Sequence, residues 1–122
     1  MPEAPAHLRR RADFLRVAQG RKCAAPGLVL QARARADGDP APRVGFTVSK
    51  KVGNAVERNR VKRRLKALAH RLLLLYAQAG HDYVVIGRRA ALTRSHAALG
   101  EDLQRALGKI AGPDRAAGRT GD

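Results

Sequence analysis

The residues in this sequence best suited to chemistry are cations, and they crowd into one short stretch. Arg58, Arg60, Lys62, Arg63, Arg64 and Lys66 stand within nine positions, with Asn59 among them and no acidic residue between; Lys50, Lys51 and Asn54 lead into the run. At 100° per residue, Asn59, Lys62, Arg63 and Lys66 project from one side of a helix, while Arg60, Arg64 and Arg71 flank its apolar stripe. Ion pairs three or four residues apart cannot account for the cluster, because the acids they need are missing. Like charges at this density repel, and the ligand that reverses the cost is a phosphate backbone. Each neutralised phosphate releases condensed counterions, and the guanidinium fork matches phosphate oxygens. The whole chain leans the same way: 25 Lys and Arg against 10 Asp and Glu leave a net charge of +15, which calls for a polyanionic partner.

Other chemistries find little support. A two-metal nuclease needs several converging carboxylates, but the acids are scattered from Glu3 to Asp122. His7, His70, His81 and His96 lack metal-ligand spacing, so no metal site is expected. Ser49 has no evident histidine and acid partner, and Glu57 reads as a helix cap, so no catalytic residue is expected either. The Gly45 to Gly53 loop lacks the Gly-Lys-Ser/Thr ending of a nucleotide-binding loop, although the amides at its bend lie near a helix start that favours anions. Cys23 stands alone, excluding an intramolecular disulfide. The longest apolar run, Leu72 to Ala77, is far short of the ~20 residues a membrane span requires, and no signal-peptide core is visible. The expectation is a cytoplasmic protein with no membrane partner.

The elements that must position these cations can be read from periodicity. A first helix is expected over Leu8 to Gln19, burying Leu8, Phe14, Leu15 and Ala18 and stopped by Gly20. Leu28 to Ala34 and Val44 to Val48 read as strands; the turn over Asp37 to Pro42 makes them a hairpin, with Val44, Phe46 and Val48 on one face. After a bend at Gly53, Asn54 and Glu57 form a capping pair that opens a long helix of about seven turns. Its buried stripe is Val61, Leu65, Leu68, Leu72, Leu75, Tyr76 and Ala79, with Gly80 as the stop. Tyr83 to Ile86 is a strand ended by Gly87, and a last helix over Ser95 to Ile110 buries Leu99, Leu103, Leu107 and Ile110. Residues 1–122 make a single domain with an ordered core over about 8–111 and flexible segments at 1–7 and 112–122.

The ungapped run from Arg43 to Arg63, with Gly45-Phe46-Thr47-Val48-Ser49-Lys50-Lys51-Val52-Gly53-Asn54 leading to Arg58-Asn59-Arg60, closely resembles the signature of the bacterial ribonuclease P protein component. Weaker agreement extends from Arg10 to about Ile110 and includes Asp13-Phe14. The resemblance implies an α+β fold: a two-layer sandwich with a mixed four-stranded sheet in the order αβββαβα, and a left-handed crossover through the basic helix. It implies an accessory subunit of an endoribonuclease that removes the 5′ leader from precursor tRNA. The catalytic centre and its Mg²⁺ would be held mainly by a catalytic RNA, bound 1:1 by the protein. Carried over by position, Lys50, Lys51, Asn54, Arg58, Asn59, Arg60, Lys62, Arg63, Arg64 and Lys66 would face that RNA. A cleft between first helix and sheet would hold the single-stranded leader, with Phe14 stacking on a base and Arg9, Arg10, Arg11 and Arg88 holding phosphates. Ala18 and Gln31 stand where many members carry further aromatics, so stacking would be weaker here.

Overall fold

The run Tyr83-Val84-Val85-Ile86 is apolar at consecutive positions, and a strand apolar on both faces must be covered on both. In the structure, a computed structural model that describes residues 5–111, this run takes the central place. The strands are β1 (Ala6–His7), β2 (Arg21–Ala24), β3 (Leu28–Ala34), β4 (Arg43–Val48) and β5 (His81–Gly87), the helices α1 (Arg11–Ala18), α2 (Ala55–Tyr76) and α3 (His96–Ala111). They form one mixed sheet in the order β1-β4-β5-β3-β2. Strand β5 runs parallel to β4, with Gly45 opposite Val84 and Val48 opposite Gly87, and antiparallel to β3, with Leu28 opposite Gly87.

Alternation along the strands assigns the two faces. Leu28, Leu30, Ala32, Val44, Tyr83 and Val85 point into the main core, where α2 contributes Val61, Leu65, Leu68 and Leu72 and α3 contributes Leu99, Leu103, Leu107 and Ile110. Val84 faces the other way and joins Leu8 and Val17, with Phe14 and Ile86 packed against them under α1. The sheet and the α2/α3 layer make the expected sandwich, and α1 covers part of the opposite face.

Several expectations need correction. The sheet has five strands, not four, because Ala6 and His7 pair in parallel with Arg43 and Val44. Residues 5–7 are therefore not a loose leader: Pro5 is buried and the Leu8 amide donates to the Val44 carbonyl at 2.8 Å. The segments 1–4 and 112–122, expected to be flexible, lie outside the described residues. The hairpin of Leu28–Ala34 with Val44–Val48 does not form, since β5 inserts between them; β3 pairs instead with β2 through a short turn at Ala25 to Gly27. Helix α1 starts at Arg11, with Leu15 and Ala18 exposed and Val17 buried in their stead. Helix α2 ends at Tyr76, short of Gly80, and its last turn leaves Leu75 and Tyr76 exposed while Ala69 and Leu73 are buried. Beyond Leu73 the stripe lies at the surface, where the Tyr76 hydroxyl accepts from Gln104 Nε2 of α3 at 3.1 Å. Helix α3 runs as expected, with the Ser95 hydroxyl accepting from the Ala98 amide.

The charged groups that composition alone does not place are buried acids. Asp82, at the start of β5, accepts from Arg43 Nε at 2.9 Å and Nη2 at 2.7 Å, and from Arg35 Nη1 at 2.9 Å. Burial disfavours its charge, but the hydrogen bonds from Arg43 and Arg35 outweigh it and hold the carboxyl below its ordinary value. Its contribution to stability is present above the unfolded carboxylate value of about 4 and is lost as pH falls through the lower folded value. Asp82→Asn should therefore destabilise the protein by about 3 kcal/mol at neutral pH, because Arg35 and Arg43 lose the buried carboxylate they share. In denaturant titrations the difference from wild type should shrink once the pH drops below the carboxylate range.

Candidate nucleic-acid interface

Helix α2 is anchored at its start by reciprocal caps. The Glu57 amide donates to Asn54 Oδ1 and the Asn54 amide to Glu57 Oε1, both at 2.9 Å. Glycine at position 53 lets the carboxylate fold back, for a side chain there would come within 2.2 Å of Glu57 Oε1. The Gly53 amide bonds the Lys50 carbonyl and the Asn54 amide is taken by Glu57, so these two bend amides are already engaged rather than open to an anion.

The expected cations separate into two groups. Lys50, Lys51, Asn54, Asn59, Arg60 and Arg63 are exposed; Arg58, Lys62, Arg64 and Lys66 are half-buried. Arg58 Nη1 donates to the Gly53 carbonyl at 2.7 Å, and Arg64 Nη1 to the Ala91 carbonyl at 2.6 Å. Arg60 and Arg63 thus stand as the outermost charges of a face held in place by neighbours that bond the main chain.

On the opposite face of the sheet, Phe14 lies directly on Gly45: a side chain at 45 would meet the Phe14 ring at 2.5 Å. The ring is half-buried, seated on β4 on one side and open on another. Arg9, Arg10 and Arg11 are exposed at the start of α1, where the helix dipole disfavours cations, and Arg10 occupies the cap position without a side-chain cap. Arg88 extends past the far end of β5 and donates through Nη1 to the Ala25 carbonyl at 2.9 Å. Since Gly45 is level with Val84, Arg88 lies about 13 Å further along the sheet at ~3.3 Å per residue. Phe14 and Arg88 are therefore two ends of a path across the face and not one pocket. Gln31 faces that path and Ala18 is exposed on α1, so neither adds a ring.

The two expected surfaces meet at the β4 edge. A pocket of about 160 Å³ is lined by His7, Phe14, Gly45, Phe46, Lys62 and Lys66. Lys66 Nζ stands 6.0 Å from the Phe46 ring centre, and His7 Nε2 lies 2.9 Å from His70 Nε2. Phe46, expected to be core, both packs against the core and lines this pocket. The histidine pair joins residues 63 apart in sequence, and no spacing rule anticipates it. One ring must donate and the other accept, so this contact requires at least one neutral imidazole. Burial, then His70, Lys66 and Arg9, lowers the affinity of His7 for a proton.

Among the described residues, no group of three or more His, Cys, Asp or Glu converges as a metal site, and no helix is long and apolar enough to cross a membrane.

Fold and site together define a small α+β protein whose main uncompensated feature is a cationic face built for a polyanion. The model of the ribonuclease P family matches residues 3–111. The ribonuclease P protein component of Paramagnetospirillum magneticum is 52% identical over 107 residues, 84% of this chain and 80% of the relative. That of Gluconacetobacter diazotrophicus is 51% identical, covering 89% and 94%. The solved ribonuclease P protein of Thermotoga maritima superposes with a TM-score of 0.74 at 29% identity, covering 87% of this chain and 98% of the other. The Staphylococcus aureus protein gives 0.71 at 31% identity, covering 87% and 94%. The chain belongs to the ribonuclease P protein family.

The histidine pair yields a test of its own. A lowered folded value means that stability is fully present above the unfolded histidine value of about 6.5 and declines as pH falls through the folded one. His7→Gln should flatten the fall in melting temperature between pH 7 and pH 5; an unchanged profile would show that the histidine contact contributes nothing to it.

Proposed function

We propose that this chain works in the bacterial cytoplasm as the accessory protein subunit of ribonuclease P, one copy per catalytic RNA, in removing the 5′ leader of precursor tRNA. The catalytic RNA meets Lys50, Lys51, Asn54 and the exposed side of α2; Lys62 and Lys66 lie where that surface turns toward Phe14. The leader crosses the sheet face from Arg9, Arg10, Arg11 and Phe14 toward Arg88. The hydrolytic centre and its Mg²⁺ belong to the RNA, and the protein contributes by holding substrate beside it. The observation that carries this reading is the acid-free cationic face of α2, continuous at the β4 edge with an aromatic pocket. An unpaired base stacking on Phe14 would gain ~1–3 kcal/mol, and each lysine or arginine on a phosphate adds a salt-dependent increment.

Reconstitution is the direct test. Protein alone should leave precursor tRNA intact, whereas protein with the cognate RNA at low Mg²⁺ should release the leader at a rate that depends on protein. A reconstituted mixture indifferent to the protein would refute the assignment, and equal affinity for duplex DNA and unrelated RNA would favour a general polyanion binder.

Substitutions on each side resolve the surfaces. Arg60→Ala or Arg63→Ala should weaken RNA binding and lower the slope of log K against log salt by about one per lost phosphate contact. Phe14→Ala should weaken substrates with long leaders more than mature tRNA in binding titrations; equal losses would make the ring purely a packing element.

A further inference from the structure

Arg64 lies in the middle of the cationic run, yet its guanidinium points inward. Nη1 donates to the Ala91 carbonyl at 2.6 Å and lies 3.4 Å from that of Leu92, and Nη2 donates to the Arg94 carbonyl. These oxygens belong to the connection from β5 to α3, a 3-10 turn over Arg89–Leu92 and the residues after it. The same connection is tied elsewhere. Arg89 Nη1 donates to the Val52 carbonyl at 2.8 Å, in the bend that precedes α2. Arg94 Nη2 donates to Asp102 Oδ1 at 3.0 Å, and Asp102 Oδ2 accepts from the Gly27 amide at 3.1 Å. Arg94 Nε lies 2.8 Å from Oδ2 but is not directed at it, so Nη2 makes the bond. Arg88 closes the circuit on Ala25.

Two separate segments thus present exposed cations, Arg60 and Arg63 on α2 and Arg89 on the turn, and Arg64 hydrogen-bonds one to the other. We propose that Arg64 is a positioning residue, not a phosphate ligand: by gathering the carbonyls of Ala91, Leu92 and Arg94 it holds the Arg89–Arg94 turn against α2, so that Arg89 and the cations of α2 meet the catalytic RNA at a fixed spacing. Only arginine suits the task, because its planar fork offers donors to several acceptors at once whereas an ammonium is a single point. The inference rests on α2 being the RNA-facing helix, and its test is arranged so that the two fail separately.

The full-length chain is titrated with a transcript of the catalytic RNA over a range of salt concentrations, comparing Arg64→Met, Arg64→Lys and Arg60→Ala with wild type. Arg64→Met keeps the stem and removes the fork. It should bind about tenfold more weakly, through lost preorganisation, while its salt slope stays parallel to wild type. Arg60→Ala should lower the slope by about one. Arg64→Lys keeps the charge and should still bind more weakly than wild type at an unchanged slope; should Arg64→Met fail to fold, this variant carries the test. Amide exchange at residues 89–94 of the free protein should quicken in either Arg64 variant. A slope lowered by one in Arg64→Met would make Arg64 a phosphate contact, wild-type affinity in either Arg64 variant would make it a packing residue, and both results overturn the proposal. An Arg60→Ala protein that binds RNA like wild type would overturn the reading of the α2 face itself.

Discussion

Among the described residues, Asp13, Asp37, Asp39, Glu57, Asp82 and Asp102 are all bonded in ways that leave none of them to pair with a cation of α2. Asp13, Asp37, Asp39 and Asp82 gather at the Arg35 and Arg43 end of the sheet, where Asp82 accepts hydrogen bonds from both guanidinium groups. Glu57 is bound into the helix cap and Asp102 into the Gly27 turn. At the other end, cations must therefore be steadied by neutral oxygens, and Arg58, Arg64, Arg88 and Arg89 all turn to main-chain carbonyls. A carbonyl orients a guanidinium without cancelling its charge, so the surface stays both ordered and strongly positive.

This division explains how a chain with few aromatics and no metal-ligating cluster among its described residues can still form a specific surface. Position comes from capping, glycine contacts and arginine to carbonyl bonds; attraction comes from charge left in excess. The start of α1 repeats the theme on a smaller scale, since three exposed arginines sit at the end of a helix whose dipole repels them. Each arrangement costs stability in the free protein and becomes favourable only against an anion.

Much of this was legible in the sequence where the signal is local. The Asn54 and Glu57 caps, the buried Leu99, Leu103, Leu107 and Ile110, and the concentration of charge on α2 follow from spacing along one element. What spacing could not supply was adjacency between elements. Turn residues between Leu28–Ala34 and Val44–Val48 suggested a hairpin, but the doubly apolar β5 requires cover on both faces and takes the place between them. The pairing of His7 with His70 and the inward turn of Arg64 depend on that same tertiary arrangement. Arg64 reads as one more surface cation until the carbonyls opposite it are known.

The order of strands has a consequence for how the molecule is assembled. Strands β3 and β4 are both made before β5, yet neither touches the other; the sheet stays split until the chain beyond α2 arrives and fills the gap. The small cluster that Phe14 packs against is completed by the same insertion, because Val84 belongs to it. A nascent chain therefore exposes its most basic helix before it owns a finished sheet, and that helix emerges next to the ribosome, itself a large polyanion. Closure of the central strand, which comes only after long-range pairing, converts an indiscriminate cationic segment into a shaped surface.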